Sequence, residues 1–316
     1  MFALDQYRAL HDAAGLLHRT DRGRISLGGV DRKAYLHGLL TNDILALETG
    51  GWCYAALLTA QGRMISDMRV FELGDMILLD LERAVTPAVC EHLARFVITE
   101  DVAVADVTEK FAQVGLYGPL APGILAAAAA DDPSQAPRFI LPSHDIGVAG
   151  ADLIVPSDAA ERLTSVLEQS GAVRIDPGTA EVTRIEAGIP RFLVDMDAST
   201  IPLEAGIERR AISLTKGCYV GQEVIIRVLH RGGGRVAKKL VGLVVEGDAV
   251  QRDDHVITGG RDAGRITSAV DSPRMARQIA LAYVPRDFTA PGTPVTVRTS
   301  VGESAAVVAE VPFGVS

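Results

Sequence analysis

The sequence contains little cysteine, and its cysteines have no regular spacing. The 316 residues include three cysteines, Cys53, Cys90 and Cys218, and no Cys-x-x-Cys pair. An odd number of widely separated thiols supports neither a disulfide framework nor a zinc knuckle. None of the seven histidines has a partner four residues away, so a helical zinc pair is absent too. We therefore expect no bound metal and a reducing, cytoplasmic location.

Long apolar runs and an excess of positive charge are also missing. The run GILAAAAA at residues 123–130 is much shorter than the roughly 18 residues that a membrane span needs. The N-terminal stretch MFALDQYRALHD is charged early and does not resemble a signal peptide. The net charge of −9 opposes binding to nucleic acid and acidic membranes, because like charges repel. We expect neither partner.

What is present is enough apolar sequence for two or three domains. Apolar residues make up 48% of the chain. Up to about residue 230, period-two stretches alternate irregularly with amphipathic stretches, which is typical of an α+β fold. After RGGGR (231–235) the stretches are strand-like, which predicts a small antiparallel β-barrel or sandwich. The triple glycine predicts a joint between residues 1–233 and 234–316.

Local patterns place several helices and a hairpin. Four residues that favour N-capping precede amphipathic stretches: Asp31, Thr86, Ser157 and Asp176. CYAALLT (53–59) and RMISDMRVFEL (63–73) predict two strands joined by a short turn. On the second strand Ile65, Asp67 and Arg69 share one face. That face either lines a polar cavity or is solvated, and the residues alone favour solvation.

One segment, LTKGCYVGQEVIIRV (214–228), surrounds a cysteine with residues that suit a reactive loop. Gly221 before QEVIIRV predicts a helix start, with Glu223 in the first turn. The positive end of that helix and the nearby Lys216 both favour the thiolate of Cys218. Gly217 and Gly221 allow unusual backbone dihedrals. A buried, inert cysteine is the equally weighted alternative. Apolar neighbours favour core positions for Cys53 and Cys90.

The eight residues KGCYVGQE closely resemble the signature of the YgfZ-type folate-binding proteins, relatives of the glycine-cleavage aminomethyltransferase (T-protein). The signature positions are Lys216, Gly217, Cys218, Tyr219, Gly221, Gln222 and Glu223. Other segments with a resemblance are YLHGLLTNDI (35–44), LLTAQGRMISDMRVF (57–71), RIEAGIPRF (184–192) and IPLEAGI (201–207). The resemblance implies an α+β ring of ferredoxin-like units around a folate cavity, followed by a C-terminal antiparallel β-barrel.

The resemblance also implies site residues. Glu186 matches the carboxylate that holds the pterin ring, where paired charge-assisted hydrogen bonds are strong. Asp67 matches the aspartate that faces the reactive nitrogens of the folate, and Asn42 and Tyr54 are further candidates for that cavity. A basic set could receive the anionic folate tail, with Arg209 and Arg227 as its main candidates: Arg209, Arg210, Arg227, Arg231 and Arg235. The residues alone favour a surface position for Glu186 and leave a solvated arginine face equally open.

Three hypotheses follow from this resemblance. The first is a monomeric, tetrahydrofolate-binding accessory protein for the assembly, maintenance or repair of iron–sulfur clusters in client enzymes. Cys218 would be its functional thiol, although one cysteine cannot hold a cluster that needs four thiolates. The second is a folate-dependent one-carbon transferase, of aminomethyltransferase or demethylase type, with Asp67 as the acid–base group. The third is a non-catalytic scaffold.

Overall fold

The protein is an α+β chain in a computed structural model that describes residues 3–131, 139–230 and 234–314. Within these ranges no helix has both the length and the apolar character needed to cross a membrane. The helices are α1 (Leu4–Asp12), α2 (Arg32–Leu39), α3 (Thr86–Arg95), α4 (Ala121–Asp131), α5 (Ala160–Gln169), α6 (Pro177–Glu186), α7 (Pro202–Ala205), α8 (Glu208–Ala211) and α9 (Gln222–His230).

The strands form two sheets and a barrel. The strands are β1 (Gly15–His18), β2 (Arg22–Gly28), β3 (Trp52–Leu58), β4 (Met64–Glu72), β5 (Ile77–Glu82), β6 (Ala103–Asp106), β7 (Phe111–Tyr117), β8 (Phe139–Ser143), β9 (Gly150–Pro156), β10 (Val173–Arg174), β11 (Lys238–Val245), β12 (His255–Thr258), β13 (Arg261–Ser272), β14 (Arg277–Pro285), β15 (Pro294–Arg298) and β16 (Glu303–Ala309).

The chain divides into two compact units, each built from separated stretches of sequence. The first unit comprises residues 1–20, 110–190 and 241–316, and the second comprises residues 21–109 and 191–240. Residues 231–233, which include Arg231 and most of the predicted glycine joint, lie outside the described residues. The division of the sequence into 1–233 and 234–316 stays a prediction.

The first unit contains a five-stranded sheet in the order β10-β1-β7-β9-β8. Only its β1–β10 pair is parallel among the described ladders. Buried residues of the sheet pack with residues of α4 and α5 in an apolar cluster that includes Leu16, Val114 and Leu163. Helix α6 follows and ends at Glu186, just before Gly188, whose φ of 67° closes the helix.

The C-terminal strands close into a barrel in the order β11-β14-β13-β12-β15-β16, with β11 paired to β16. Period-two side chains fill its interior; Leu243, Val256, Ile266 and Val297 are fully buried. The alternation in β16, where every second side chain is buried, shows why the pattern was readable from sequence. The predicted antiparallel β-barrel is confirmed.

The second unit contains a five-stranded antiparallel sheet in the order β3-β4-β5-β2-β6. One apolar cluster packs residues of this sheet, such as Ile25, Val70 and Leu79, with Leu36 of α2 and Leu93 of α3. A second apolar cluster joins the β3–β4 hairpin to α7, α8 and α9. The predicted hairpin between β3 and β4 is present.

Of the four predicted N-caps, Asp176 alone is confirmed. Its carboxylate accepts a hydrogen bond from the Thr179 amide at 2.7 Å. Asp31 occupies the N-cap position of α2 and its carbonyl accepts the Tyr35 amide, but its side chain makes no capping bond, because the carboxylate accepts the Asp101 amide instead. Thr86 lies inside α3, and Ser157 begins a 3₁₀ turn that precedes α5. Thr86 and Ser157 were wrong as cap residues, since the Thr86 hydroxyl donates to the Glu82 carbonyl and Ser157 belongs to the 3₁₀ turn. For Asp31 the position was right, but a donor that comes close only in the folded chain uses its side chain.

Candidate functional site

Asp67 and Tyr54 form an acid–phenol pair on the sheet of the second unit. The register pairs Ala56 of β3 with Asp67 of β4, and Tyr54 lies two residues away on the same face. This diagonal lets the Tyr54 hydroxyl donate to Oδ2 of Asp67 at 2.6 Å. Asp67 is 8% exposed and Arg69 is 2% exposed. The favoured interpretation that this polar face is solvated was therefore wrong.

Asn42 supports this pair from the turn that follows α2. Its side-chain amide donates to the backbone carbonyls of Tyr54 at 2.9 Å and Arg210 at 3.1 Å. The neighbouring Thr41 hydroxyl donates to the Ala211 carbonyl at 2.6 Å and accepts a backbone amide of β3. Both side-chain amide hydrogens of Asn42 thus donate to backbone carbonyls. Its side chain ties β3 to α8 and so positions Tyr54.

The arginines proposed for an anionic tail have different surroundings. The Arg210 guanidinium lies 5.1 Å from the centroid of the Tyr54 ring, a cation–π contact that restrains the phenol. Arg209 and Arg235 are exposed. Arg227 is also exposed, and it pairs with Glu223 at 2.6 Å one turn earlier in α9. An exposed pair of this kind contributes little, so Arg227 is able to exchange its partner for an anion.

A buried ion network occupies strands β2, β4 and β5. The Asp80 carboxylate accepts from Nε of Arg22 at 2.7 Å and from the Arg69 guanidinium. Arg22 also pairs with Glu82 at 2.9 Å. Burial raises the pKa of Glu82, and the positive charge of Arg22 opposes that shift. Without oppositely charged partners, burying the charged side chains of this sheet face would cost free energy.

The cysteine segment has buried neighbours and an exposed thiol. Lys216 and Tyr219 are buried, whereas Cys218 is exposed. The Lys216 ammonium donates to backbone carbonyls at the end of α2 and in the next turn, those of His37, Leu40 and Asn42. Burial lowers the pKa of Lys216 to about 8, against the opposing influence of the Asp43 charge.

These contacts define what Lys216 does. Its charge is directed at three carbonyls, so it fastens the segment to the end of α2. Activation of the Cys218 thiol by Lys216 stays a prediction. The alternative of a buried Cys218 was wrong, because the residue is exposed.

Gly221 is required where the segment enters α9. Its φ is 83°, and a Cβ there would lie 2.5 Å from the Thr59 carbonyl oxygen. Gln222 is the first residue of α9, and Glu223 lies in its first turn, so the predicted helix start is confirmed. Gly217 does not have a positive φ, so of these two glycines only Gly221 adopts the left-handed region.

Glu186 lies in the first unit, at the end of α6, and is 1% exposed. Its Oε2 accepts the Tyr7 hydroxyl at 2.8 Å and lies 3.7 Å from Nε of Arg274. Its Oε1 accepts the Ser272 hydroxyl and the Arg274 amide. The interpretation of Glu186 as a surface glutamate was therefore wrong. Binding of a pterin by this carboxylate stays a prediction.

Comparison with known proteins covers almost the whole chain. A family model described as the GCVT N-terminal domain matches residues 2–216, and the glycine cleavage T-protein C-terminal barrel domain matches residues 238–313. The chain belongs to the glycine cleavage T-protein family. This family member is 32% identical over 307 residues to the aminomethyltransferase of Rubrobacter xylanophilus, covering 93% of the chain and 82% of the relative.

A further relative agrees with that assignment of this T-protein family member, and a solved structure shares its fold. The aminomethyltransferase of a Synechococcus species is 27% identical over 336 residues, covering 98% of the chain and 89% of the relative. The crystal structure of the glycine cleavage system aminomethyltransferase T from Bartonella henselae matches with a TM-score of 0.87 at 20% identity, covering 98% and 89%. The predicted aminomethyltransferase-like fold is confirmed. The narrower resemblance to YgfZ-type proteins rests on the KGCYVGQE motif.

Sequence reasoning missed the partners of the site residues in this T-protein family member. Tyr7 and Ser272 are separated from Glu186 by 179 and 86 positions, and no spacing signal connects them. The ion network did leave a signal. Arginines occupy alternate positions of β2, and acidic residues occupy alternate positions of β5. Opposite charges on facing positions favour the pairing of these two strands.

Iodoacetamide is expected to modify Cys218 much faster than Cys53 and Cys90 near pH 8. Cys53 and Cys90 pack against the core of the second unit, as predicted. Burial raises the pKa of Cys53 to about 12 and also raises that of Cys90. At pH 8 the thiolate fraction of Cys53 is then about 10⁻⁴, and only thiolates react. Timed peptide mass spectrometry measures the three rates.

The control for this prediction is Cys218→Ser, which should remove the fast phase and leave the slow ones unchanged. The rate at Cys53 should rise with pH up to about 12, because its thiolate becomes abundant only there. Equal rates at the three cysteines near pH 8 would contradict the prediction.

Proposed function

We propose that this chain binds tetrahydrofolate and transfers a one-carbon unit between it and an amine donor, as an enzyme of the aminomethyltransferase type. The buried pair of Asp67 and Tyr54 carries the proposal, because a buried carboxylate that a phenol hydroxyl orients suits proton transfer. Support also comes from relatives named aminomethyltransferase that match most of the chain. The proposal replaces the iron–sulfur accessory role as the leading hypothesis.

Each unit, taken by itself, offers groups whose chemistry suits a reduced folate. A pterin offers two adjacent N–H groups, and the carboxylate of Glu186 already accepts several neutral donors. Bound tetrahydrofolate supplies the nitrogen atoms that carry the one-carbon unit. Asp67 holds or releases a proton at its carboxylate, and its charge stabilises a cationic amine. Tyr54 orients the carboxylate, and Asn42 and Arg210 hold Tyr54.

Calorimetric titration with tetrahydrofolate and an assay of methylene-tetrahydrofolate formation from an aminomethyl donor test this proposal. Saturable binding together with product formation is expected. Binding without product would leave a folate-binding protein that is not a transferase. The absence of binding to the wild-type protein would refute the proposed function.

A second candidate function is favoured by the exposed thiol of Cys218 between the buried Lys216 and Tyr219. Such a loop presents one sulfur to a partner while its flanks stay fixed. We propose as this second function the accessory role for iron–sulfur enzymes, with Cys218 acting together with ligands of a client or assembly protein. The KGCYVGQE motif supports it, and one thiolate is too few for a resident cluster.

Cells that carry Cys218→Ser are expected to lose activity of iron–sulfur enzymes if this second function operates. Cys90→Ser is the matched control, because Cys90 packs against the core and is not presented to solvent in the same way. Protein levels of both variants are measured by immunoblot. Iron–sulfur enzyme activities that stay at wild-type level in Cys218→Ser cells would eliminate the accessory role of this thiol.

A further inference from the structure

The carboxylate of Glu186 is already surrounded by hydrogen-bond donors of the same unit. Among the described residues, three donors form hydrogen bonds with its two oxygens. They are the Tyr7 hydroxyl, the Ser272 hydroxyl and the backbone amide of Arg274, and Nε of Arg274 lies 3.7 Å from Oε2 as an ion pair. A carboxylate offers about four lone-pair positions to donors. A ligand with two adjacent N–H groups needs two of these positions and can therefore bind Glu186 only by displacing at least one donor that is present.

The donors differ in how firmly they are held. The Ser272 hydroxyl also accepts the Met275 amide at 3.0 Å, within the turn between β13 and β14. Arg274 contributes through its backbone as well as its side chain, and its positive charge compensates the buried carboxylate. Tyr7, in contrast, lies on a different element, α1, and donates through the hydroxyl at the end of its ring, which also interacts with Arg274.

Tyr7 is also a permanent donor. Burial raises the pKa of its phenol above the ordinary value, and the bond to Glu186 raises it further. The hydroxyl therefore keeps its proton at any physiological pH. Its ring packs against His11, with centroids 4.5 Å apart. The phenol presents to Glu186 the same kind of group that a pterin N–H presents, a single polar donor on a flat ring.

We propose that Tyr7 is an internal competitor for the pterin site, whose hydroxyl occupies the position on Glu186 that a ring N–H of a reduced folate takes when it binds. This inference rests on the proposed function and adds a conformational step to it. The Tyr7 hydroxyl leaves Oε2 and the ligand brings its N–H groups, so the carboxylate loses no hydrogen bond in the exchange. The exchange moves the Tyr7 side chain away from Glu186 and loosens α1 at its contact with α6.

The competition makes an unusual prediction for affinity. Tyr7→Phe removes the competing hydroxyl and keeps the ring, so tetrahydrofolate should bind about tenfold more tightly than to the wild-type protein. Glu186→Gln should weaken binding, because the amide cannot accept both N–H groups. Tyr35→Phe is the matched control. Tyr35 is a buried tyrosine of the second unit whose hydroxyl donates to the Leu93 carbonyl. Loss of the Tyr35 hydroxyl should leave the affinity for tetrahydrofolate unchanged.

Calorimetry with tetrahydrofolate on the full chain measures these affinities, and thermal unfolding verifies that each variant is folded. Hydrogen exchange of the wild-type protein provides a second measurement that needs no variant. Amides of α1 should exchange faster when tetrahydrofolate is bound, although ligands usually slow exchange. Tighter binding by Tyr7→Phe and faster exchange in α1 would support the proposal.

Other results would overturn it, and they differ from failure of the proposed function. If the wild-type protein binds and Tyr7→Phe binds equally or more weakly, Tyr7 is not a competitor. The same conclusion follows if α1 exchanges at an unchanged or slower rate in the complex. Unchanged affinity of Glu186→Gln would show that the carboxylate is not the pterin acceptor. Failure of the wild-type protein to bind refutes the proposed function, and this inference with it.

Discussion

Replacing Asp80 with asparagine is expected to lower the free energy of unfolding of the second unit by about 3–5 kcal/mol. Asp80 is fully buried on β5, and its carboxylate neutralises parts of two guanidinium groups, those of Arg22 and Arg69. Asparagine has almost the same shape but carries no charge. Two buried cations would then share less negative charge, which costs more than one neutral hydrogen bond.

Urea unfolding followed by tryptophan fluorescence measures this effect. The single tryptophan of the sequence, Trp52, lies on β3 of the same sheet and reports on the second unit. The matched control is Glu109→Gln, which removes the partner of Arg83 from an ion pair whose side chains are 81% and 46% exposed. That change should cost less than about 1 kcal/mol. Equal losses in the two variants would show that the buried network contributes no more than a surface pair.

Asp67→Asn is expected to reduce kcat/KM for one-carbon transfer by about 10²–10⁴-fold, if the proposed function holds. The amide oxygen can still accept the Tyr54 hydroxyl, so the local geometry should survive. The variant loses the carboxylate that would hold or release a proton, and with it the negative charge. Steady-state formation of methylene-tetrahydrofolate from an aminomethyl donor measures the loss.

Two further variants serve as a control and as an intermediate case for the Asp67→Asn result. Asp106→Asn changes an exposed carboxylate on β6 of the same sheet and should leave kcat/KM unchanged. Tyr54→Phe removes the orienting hydroxyl but keeps the carboxylate, so a loss of about tenfold is expected. If Asp67→Asn transferred one-carbon units as fast as the wild-type protein, Asp67 would not be the acid–base group.

Much of the fold could be predicted from local sequence patterns, because these patterns reflect interactions between residues that are close in the chain. The β3–β4 hairpin, the start of α9 after Gly221 and the cap of α6 by Asp176 depend on bonds within a few residues. The barrel strands were equally clear, since a period of two marks any strand with one buried face. The identification of Glu186 and Asp67 as candidates came from the family resemblance and not from these patterns.

The tertiary structure was needed wherever a polar side chain had two possible environments. An alternating strand such as β4 has the same sequence whether its polar face meets water or buried partners, and only the arrival of Asp80 and Tyr54 buries Asp67 and Arg69. Glu186 likewise became a buried acceptor because Tyr7 comes from 179 residues away. Hydrogen bonds and ion pairs act over a few ångströms in space, and chain distance carries almost no information about them.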